Sequence, residues 1–531
     1  MYRKLLLAVF AATALAAGVA SPILYAQSTT ASLLGIVHDP TGSVVPSAVI
    51  TATNTQTSFT RTTQTDSGGN YLLLNLPIGP YQLKVSAPGF ETFVQTGITL
   101  VVSQNARVDA ALVLGSTSQT VQVDAQATGV DTHSASMGEL VSRERIQELP
   151  LNGRNALTLA AVVPGVTNII NPPTVQTQSR GGAGLTISGG RDTQNEFRFD
   201  GTSWKNITQN TSLNLPSPDA LQEFQILTSS PSAEYGRNSG GIVISVTRSG
   251  SNQFHGALWD YFRNTALNAR NYFTRYPTKK PTLKQNQFGG SFGGPILHDK
   301  LFVFGSYQGT RIRQSQIVSP AFIPTAAQRS GFFGATTVLK NPIHGGFYTG
   351  GQVNPADFDP VAIKMLNIFV PTSPAGAGVV QLVASPTNDN QYVVRGDYNV
   401  TAKDFFFVRY FRDKGTVTSQ AGTISPYAPS DTSTSLQNWA AQATHTFSPA
   451  LLNELRMGIG RVDSNVSQQD TRQLSSFGAT FPGVVTPQLP NINVSGFFNM
   501  NTTDLFNEHD NIYQLGDTVR WNRGKHSISI G

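Results

Sequence analysis

One serine sits in a pattern that nucleophilic chemistry uses: Gly289-Gly290-Ser291-Phe292-Gly293 fits G-x-S-x-G. That pattern works where a strand turns sharply into a helix and lifts the hydroxyl clear of the sheet. Here it lies inside an alternating run, Phe288, Gly290, Phe292 and Gly294, that reads as a plain strand, so the match is a coincidence of composition. The eight histidines are far apart, and none begins an HExxH or HxxE, the spacing that puts two zinc ligands on one helix face. The chain has no cysteine, which removes disulfides and thiolate metal sites. No phosphate-cradling loop stands at a strand–helix junction, and the carboxylates are too scattered to name a glycosidase pair. The sequence therefore predicts no enzyme, no metal and no cofactor.

The charged residues that do stand in a defined setting are Arg191, Asp200 and Glu223. Each lies in a glycine-punctuated region that also holds Gly201, Tyr235, Gly236, Gly240 and Gly241. The chemistry expected of them is ion pairing, within that region or from it to a neighbouring module. The three glycines at 236, 240 and 241 are expected to supply positive φ and close backbone approach.

Composition bounds what can position such groups. The chain has 531 residues, enough for several domains. Only 13% are charged while 49 are glycine, a balance that suits turn-rich β structure. The net charge of +6 is dispersed, with Lys279-Lys280 the nearest approach to a cluster, so no nucleic-acid partner is expected. At the start, Arg3-Lys4 precedes an apolar run from Leu5 to Val19, and Leu24-Tyr25-Ala26 ends at a small residue. Residues 1–26 read as a secretory signal peptide. No later apolar run is long enough for a membrane helix, so any insertion must use strands.

Residues 27–115 supply about seven short strands with a turn signal roughly every ten residues, which indicates a β-sandwich. The runs from Gly35 to Ala48 and from Thr65 to Phe90 resemble the carboxypeptidase regulatory-like domain. That resemblance implies a transthyretin-like sandwich, grouped with carbohydrate-binding-like folds, serving as a periplasmic spacer or a sugar-binding module. In residues 116–252, Ser142 is expected to cap a helix ending at Glu148, and a second helix to run from Ala156 to Val163. Then come Ile187-Ser188-Gly189-Gly190-Arg191, the Phe197 to Gly201 strand and turn, and Leu221 to Gly250. In order and spacing these are similar to the plug domain of TonB-dependent outer-membrane receptors, nearest the Oar-like subgroup. Ser188 stands where that family often has Arg, and Gln222-Glu223-Phe224 is a looser form of its Ile-Glu run.

From 253 to 531 the pattern changes to about nine strands of near ten residues, the length a tilted membrane strand requires. Connections alternate: Leu297–Lys300, Thr401–Asp404, Ser448–Ala450 and Asn522–Lys525 are tight, while Ile312–Asn390 and Val462–Asn511 are long. Tyr392, Val394, Tyr398 and Val400 share one face, and Arg395, Asp397 and Asn399 share the other. A charged row is costly against lipid but acceptable in a wet lumen. The fold class is thus mainly β: a sandwich, an α/β plug, and the first part of a transmembrane antiparallel barrel. The last strand has barely begun at Gly531, so the chain reads as the N-terminal portion of a longer protein.

The resemblance implies energised uptake of a siderophore, oligosaccharide or peptide across the cell outer membrane. Its partners would be outer-membrane lipid, an inner-membrane TonB-type energy transducer and an extracellular substrate, carbohydrate among the classes. Strand addition is the expected coupling, and Thr120, Val121, Gln122, Val123 and Asp124, an extended patch just ahead of the plug, form the candidate contact segment. Two alternatives stand beside transport: an adhesion receptor using long surface loops, and a carbohydrate-binding sandwich protein.

Overall fold

A computed structural model describes residues 30–115, 120–124, 136–149, 151–170, 184–272, 279–372, 378–424, 427–480, 488–523 and 526–531. The leader read at 1–26, most of the segment joining the first two modules, part of the glycine-rich stretch before Leu185, and the tip of the 522–525 turn lie outside the described residues.

The first module is two sheets face to face. One holds β1 (Ala31–His38), β4 (Asn70–Leu76), β7 (Asn105–Arg107) and β8 (Ala110–Ala111). The other orders β3 (Thr60–Gln64), β2 (Val49–Asn54), β5 (Gly79–Ser86), β6 (Thr92–Leu100) and β9 (Thr120–Asp124). The period of two decides which residues meet between them: Tyr81, Leu83 and Val85 are buried, while Gln82, Lys84 and Ser86 turn outward. The turns are closed by carboxylates. Asp39 accepts from the backbone of Thr41 (2.8 Å) and Ser43 (2.9 Å), and Asp66 from Gly68 (2.9 Å) and Asn70 (2.8 Å).

The second module is a mixed sheet, β10 (Met137–Val141), β15 (Leu221–Ser229), β16 (Ile242–Thr247), β13 (Glu196–Phe199) and β14 (Thr202–Ser203), with β13 parallel to β16. A hairpin, β11 (Val166–Ile170) with β12 (Gly184–Ile187), lies beside it. The helix Arg143–Glu148 forms behind Ser142, but that hydroxyl makes no capping bond. The second helical segment, Ala156–Val162, is a 3-10 helix rather than an α-helix; Asn155 caps it by accepting from Leu157 N.

The third module is one antiparallel meander: β17 (His255–Asn264), β18 (Leu283–Leu297), β19 (Leu301–Phe322), β23 (Thr387–Asn399), β24 (Asp404–Ser419), β25 (Ser430–Ser448), β26 (Leu451–Gln468), β29 (Phe506–Arg523) and β30 (His526–Ile530). Strands β18 to β29 in this ladder run from 13 to 22 residues, longer than the ten or so expected. The ladder continues past the apolar band on the long-loop side, where polar residues such as Asp463 and Asn465 follow and paired backbone needs no lipid. The faces divide as the sequence predicts. Tyr398, Val400 and Trp521 are 37%, 43% and 40% exposed on the outside, so no second sheet among the described residues covers them. Asn438, Gln442, Glu454 and Arg456 are buried on the inside.

The long connections are more ordered than their composition suggests. They hold β20 (Leu339–Lys340) paired with β21 (Phe347–Tyr348), β22 (Gly378–Ala384) on β19, and β27 (Ile492–Val494) paired with β28 (Phe498–Met500). The helix Pro360–Phe369, capped by Asp359, packs Met365 and Phe369 into a core shared with Tyr427, Phe477 and Phe498. Three separate connections therefore form one cap.

If the outer face meets hydrocarbon, Leu515→Arg, near the middle of the apolar band, should cost about 2–4 kcal/mol in lipid vesicles, and Leu515→Phe almost nothing. Denaturant unfolding of both variants in vesicles measures this, and equal stabilities would remove lipid from that face.

Candidate functional site

Asp200 and Gly201 form the two-residue loop of the β13–β14 hairpin, with Phe199 paired to Thr202. Both have positive φ, 46° and 81°, which the right-handed twist of a tight hairpin demands and Asp-Gly supplies at least cost. A side chain on Gly201 would press on the Arg456 guanidinium of β26, at 3.3–3.4 Å. The hairpin tip thus points into the wall.

There the Asp200 carboxylate is fully engaged. It accepts from Thr247 N (2.9 Å) and Thr247 Oγ1 (3.0 Å) at the end of β16, which fixes it within the plug. From the wall, Arg409 Nε donates to it at 2.8 Å and Arg395 Nη1 at 3.3 Å. Arg409 is wholly buried; it also donates to Asn438 Oδ1 (2.5 Å) and Phe199 O (3.2 Å), and its guanidinium lies 3.7 Å over the Phe199 ring. Arg395 is shared with Asp397 of its own strand at 2.8 Å. Around this polar knot Phe199 and Trp204 pack edge-on against Phe411, at 5.6 and 6.0 Å. The plug core is continuous with Phe304, Val393, Leu436 and Val462 of the wall.

Further contacts tie plug to wall. Arg154, ion-paired to Asp219 in the plug, lies 4.1 Å over the Tyr261 ring of β17. Asn214 Nδ2 donates to Asp413 (3.0 Å), and Gln514 exchanges two hydrogen bonds with the Ser203 backbone, at 2.7 and 2.9 Å. The sandwich joins on the short-turn side. Asn75 Nδ2 donates to Glu454 (2.6 Å), Phe59 meets Phe405 edge-on at 6.1 Å, and Asn252 N donates to Gln56 O (2.8 Å).

The sequence-selected residues fall into three groups. Asp200 and Gly201 make the latch just described. Arg191, Gly240 and Gly241 surround one plug turn: Arg191 is exposed, and its backbone N–H donates to Gln194 Oε1 (3.1 Å). Gly240 and Gly241 do not use positive φ; they are needed for closeness, since a Cβ would meet Asn195 Oδ1 at 2.5 Å and the Ile187 side chain at 2.6 Å. In the turn after Tyr235 the left-handed residue is Arg237 (φ 70°), not Gly236. Ser188, in the position often held by Arg, donates to Thr228 O (2.9 Å) instead.

Glu223 and Tyr235 face the sandwich. Glu223 was expected to form an ion pair, but among the described residues it forms none: its Oε1 accepts from Val102 N of the sandwich at 2.5 Å. Burial pushes its carboxyl up to about 7, with Glu144 adding to the rise and the Val102 bond opposing it. Tyr235 packs against Val102, Ile242 and Ile244, and burial pushes its phenol up to about 12. Thr120–Asp124 is β9, paired in parallel with Thr92–Thr96 of β6, with Gln122 exposed. Arg409 and Val102 were missed by sequence reasoning. An arginine alternating inward between Phe407 and Phe411 was a usable signal for the first, and a backbone N–H leaves no signal.

The plug held inside a wall of outward-apolar strands defines the class. The family described as Outer membrane beta barrel domain matches residues 246–531, more than half of the chain, and the chain belongs to it. The TonB-dependent Receptor Plug Domain matches 131–243, and the Carboxypeptidase regulatory-like domain 32–113. The TonB-dependent transporter Oar of Myxococcus xanthus is 29% identical over 298 residues, covering 53% of this chain and 27% of that protein. The outer membrane transporter YddB of Escherichia coli aligns over 74% of this chain and 47% of its own, at 12% identity and a TM-score of 0.46. The FpvA–pyoverdine–iron complex of P. aeruginosa aligns at 12% identity and a TM-score of 0.39, over 74% of this chain and 50% of its own. The chain thus spans about a quarter of the Oar transporter and half or less of these two solved chains.

Asp200→Asn keeps the shape of the tip and removes its charge, leaving two wall arginines one carboxylate short. The plug–wall contact should weaken by about 3–5 kcal/mol, read as a lower unfolding midpoint in detergent. Glu223 gives a pH dependence of defined sign. Its folded-state pKa lies above the ordinary 4.5, so the folded form holds the extra proton between there and about 7. Stability of the sandwich–plug contact should fall as pH rises through that window and level off above it. Glu223→Gln should abolish the slope, as followed by thermal unfolding from pH 4.5 to 8.5.

Proposed function

We propose that the protein carries a scarce or bulky substrate, a siderophore, oligosaccharide or peptide, across the outer membrane by TonB-driven opening of the plug. In this reading residues 1–26 direct export, residues 27–115 are a periplasmic sandwich that also takes up β9 from the segment first assigned to the plug, the rest of residues 116–252 is the plug and residues 253–531 the wall. The observation that carries the reading is the Asp200 latch. The plug packs its core against the inner face of the wall, and at its hairpin tip one carboxylate holds it to two wall arginines. Such a contact is strong at rest and brief once water enters, because its strength depends on exclusion of solvent.

Thr120–Asp124 is the segment to be gripped. As the last strand of its sheet, β9 has one backbone edge without a strand partner among the described residues, and an incoming strand can pair there. A pull on β9 passes to β6 and to the plug that follows in the chain. Arg191, Gly240 and Gly241 hold the plug turn together, while Glu223 and Tyr235 hold plug to sandwich. Substrate specificity belongs to the loop cap. Its shared core also favours a second reading, a receptor that holds a partner at the surface, since Phe332, Val338 and Phe347 are exposed on an already ordered cap.

The absence of native cysteine makes a clean test possible. Gln122→Cys in cells producing the protein should form disulfides with cysteines placed along the transducer's strand, and Val121→Pro with Val123→Pro should end uptake without lowering outer-membrane abundance. Surface binding that survives with uptake unaffected by loss of the transducer would instead select the adhesion reading.

A further inference from the structure

On the short-turn side of the Asp200 latch, and sharing Thr247 and Arg395 with it, the sandwich, plug and wall line a half-open cavity of about 550 Å3. That volume is in the range of sites for small organic ligands. Part of its lining is apolar: Phe59 and Ile78 come from the sandwich, Phe405 and Phe407 from the wall. The charged part is Arg143, from the plug helix Arg143–Glu148, and Arg248, just after β16, together with Glu144, Arg395 and Asp397.

Arg143 and Arg248 differ from the third arginine lining the cavity. Arg395 is already matched by Asp397 and Asp200. Arg143 and Arg248 form no ion pair among the described residues. Arg248 Nη1 reaches only the Asp219 carbonyl, at 3.4 Å, and its plane lies 5.3 Å over Phe304. Arg143 Nε is buried with no acceptor. Burial first, and then the nearby Arg143 charge, push Arg248 down to about 10, against the opposing pull of Asp219. Glu144 also lines the cavity, but it is exposed, and its carboxylate bonds to Ser142 and its own backbone. Two guanidiniums sharing a partly dry space are costly unless an anion joins them, and planar forks suit oxyanions.

We infer that this cavity is a binding site for an oxyanion, phosphate or carboxylate, carried on an apolar body. Arg143 and Arg248 clamp the anion, and Phe59 and Phe405 hold the body. Because three modules build the walls, occupancy also fastens the sandwich to the plug.

The probe is phenyl phosphate, titrated calorimetrically into the full chain in detergent, with inorganic phosphate and phenol as the charge-only and body-only arms. Saturable one-site binding is expected for phenyl phosphate, weaker for phosphate and none for phenol. Arg143→Gln with Arg248→Gln should lower phenyl phosphate affinity at least about tenfold, the loss of one or more charge-assisted hydrogen bonds. Arg107→Gln, on the exposed sandwich surface, should not change it. If the double variant does not fold, Phe59→Ala gives the answer: weaker phenyl phosphate binding with phosphate binding unchanged supports the site. No saturable binding, or affinities that none of these cavity substitutions alters, overturns it.

Discussion

A carboxylate cannot sit in a dry protein interior without cations or donors to replace its water, and Asp200 has four such partners. Two are the Thr247 backbone and hydroxyl, which belong to the plug; two are arginines that belong to the wall. Neither half satisfies the charge alone, so the plug and the wall are obliged to find each other in one register. The packing of Phe199 and Trp204 on Phe411 adds apolar area to that contact, but it is the charge that makes a displaced register costly.

The same constraint explains the inner face of the wall. Its strands alternate because lipid tolerates no charge on one side while the other meets a polar plug. Arg395, Arg409, Glu454 and Arg456 are inward and buried, each against a group from the plug, the sandwich or its neighbour in the wall. The lumen is therefore a protein interface with polar anchors set in apolar packing, which can be rigid when dry and yield when wetted.

The sandwich touches the barrel through Asn75 and Phe59 and the plug through Val102, so it closes the short-turn side as a third wall. Arg61 to Thr446, Arg520 to Asn75 and Asn252 to Ser58 add to these contacts, which are polar bonds around a small apolar patch, the character of an interface between domains of one chain. On the opposite side, the long connections bury Phe369, Tyr427 and Phe477 together and are seated on the extended end of β19 through Ala321, the β22 pairing and the Phe322 N–H to Phe497 O bond.

Much of this was legible in the residues. Period-two alternation at Tyr392 to Val400 and at Tyr81 to Val85 fixed which side of each strand is buried, because a strand has no other way to turn its side chains. Asp200-Gly201 announced a tight turn, and turn signals roughly every ten residues through 27–115 announced a sandwich. What remained out of reach was pairing across hundreds of residues. That Asp200 meets Arg409 and not Arg191, that Glu223 is answered by a backbone N–H at Val102, and that Gly240 and Gly241 matter for closeness and not for φ depend on where three modules come to rest. Local sequence sets the shape and exposed face of each element through sterics and periodicity; only the assembled chain decides which buried charge is neutralised by which partner, since that depends on distance and exclusion of water.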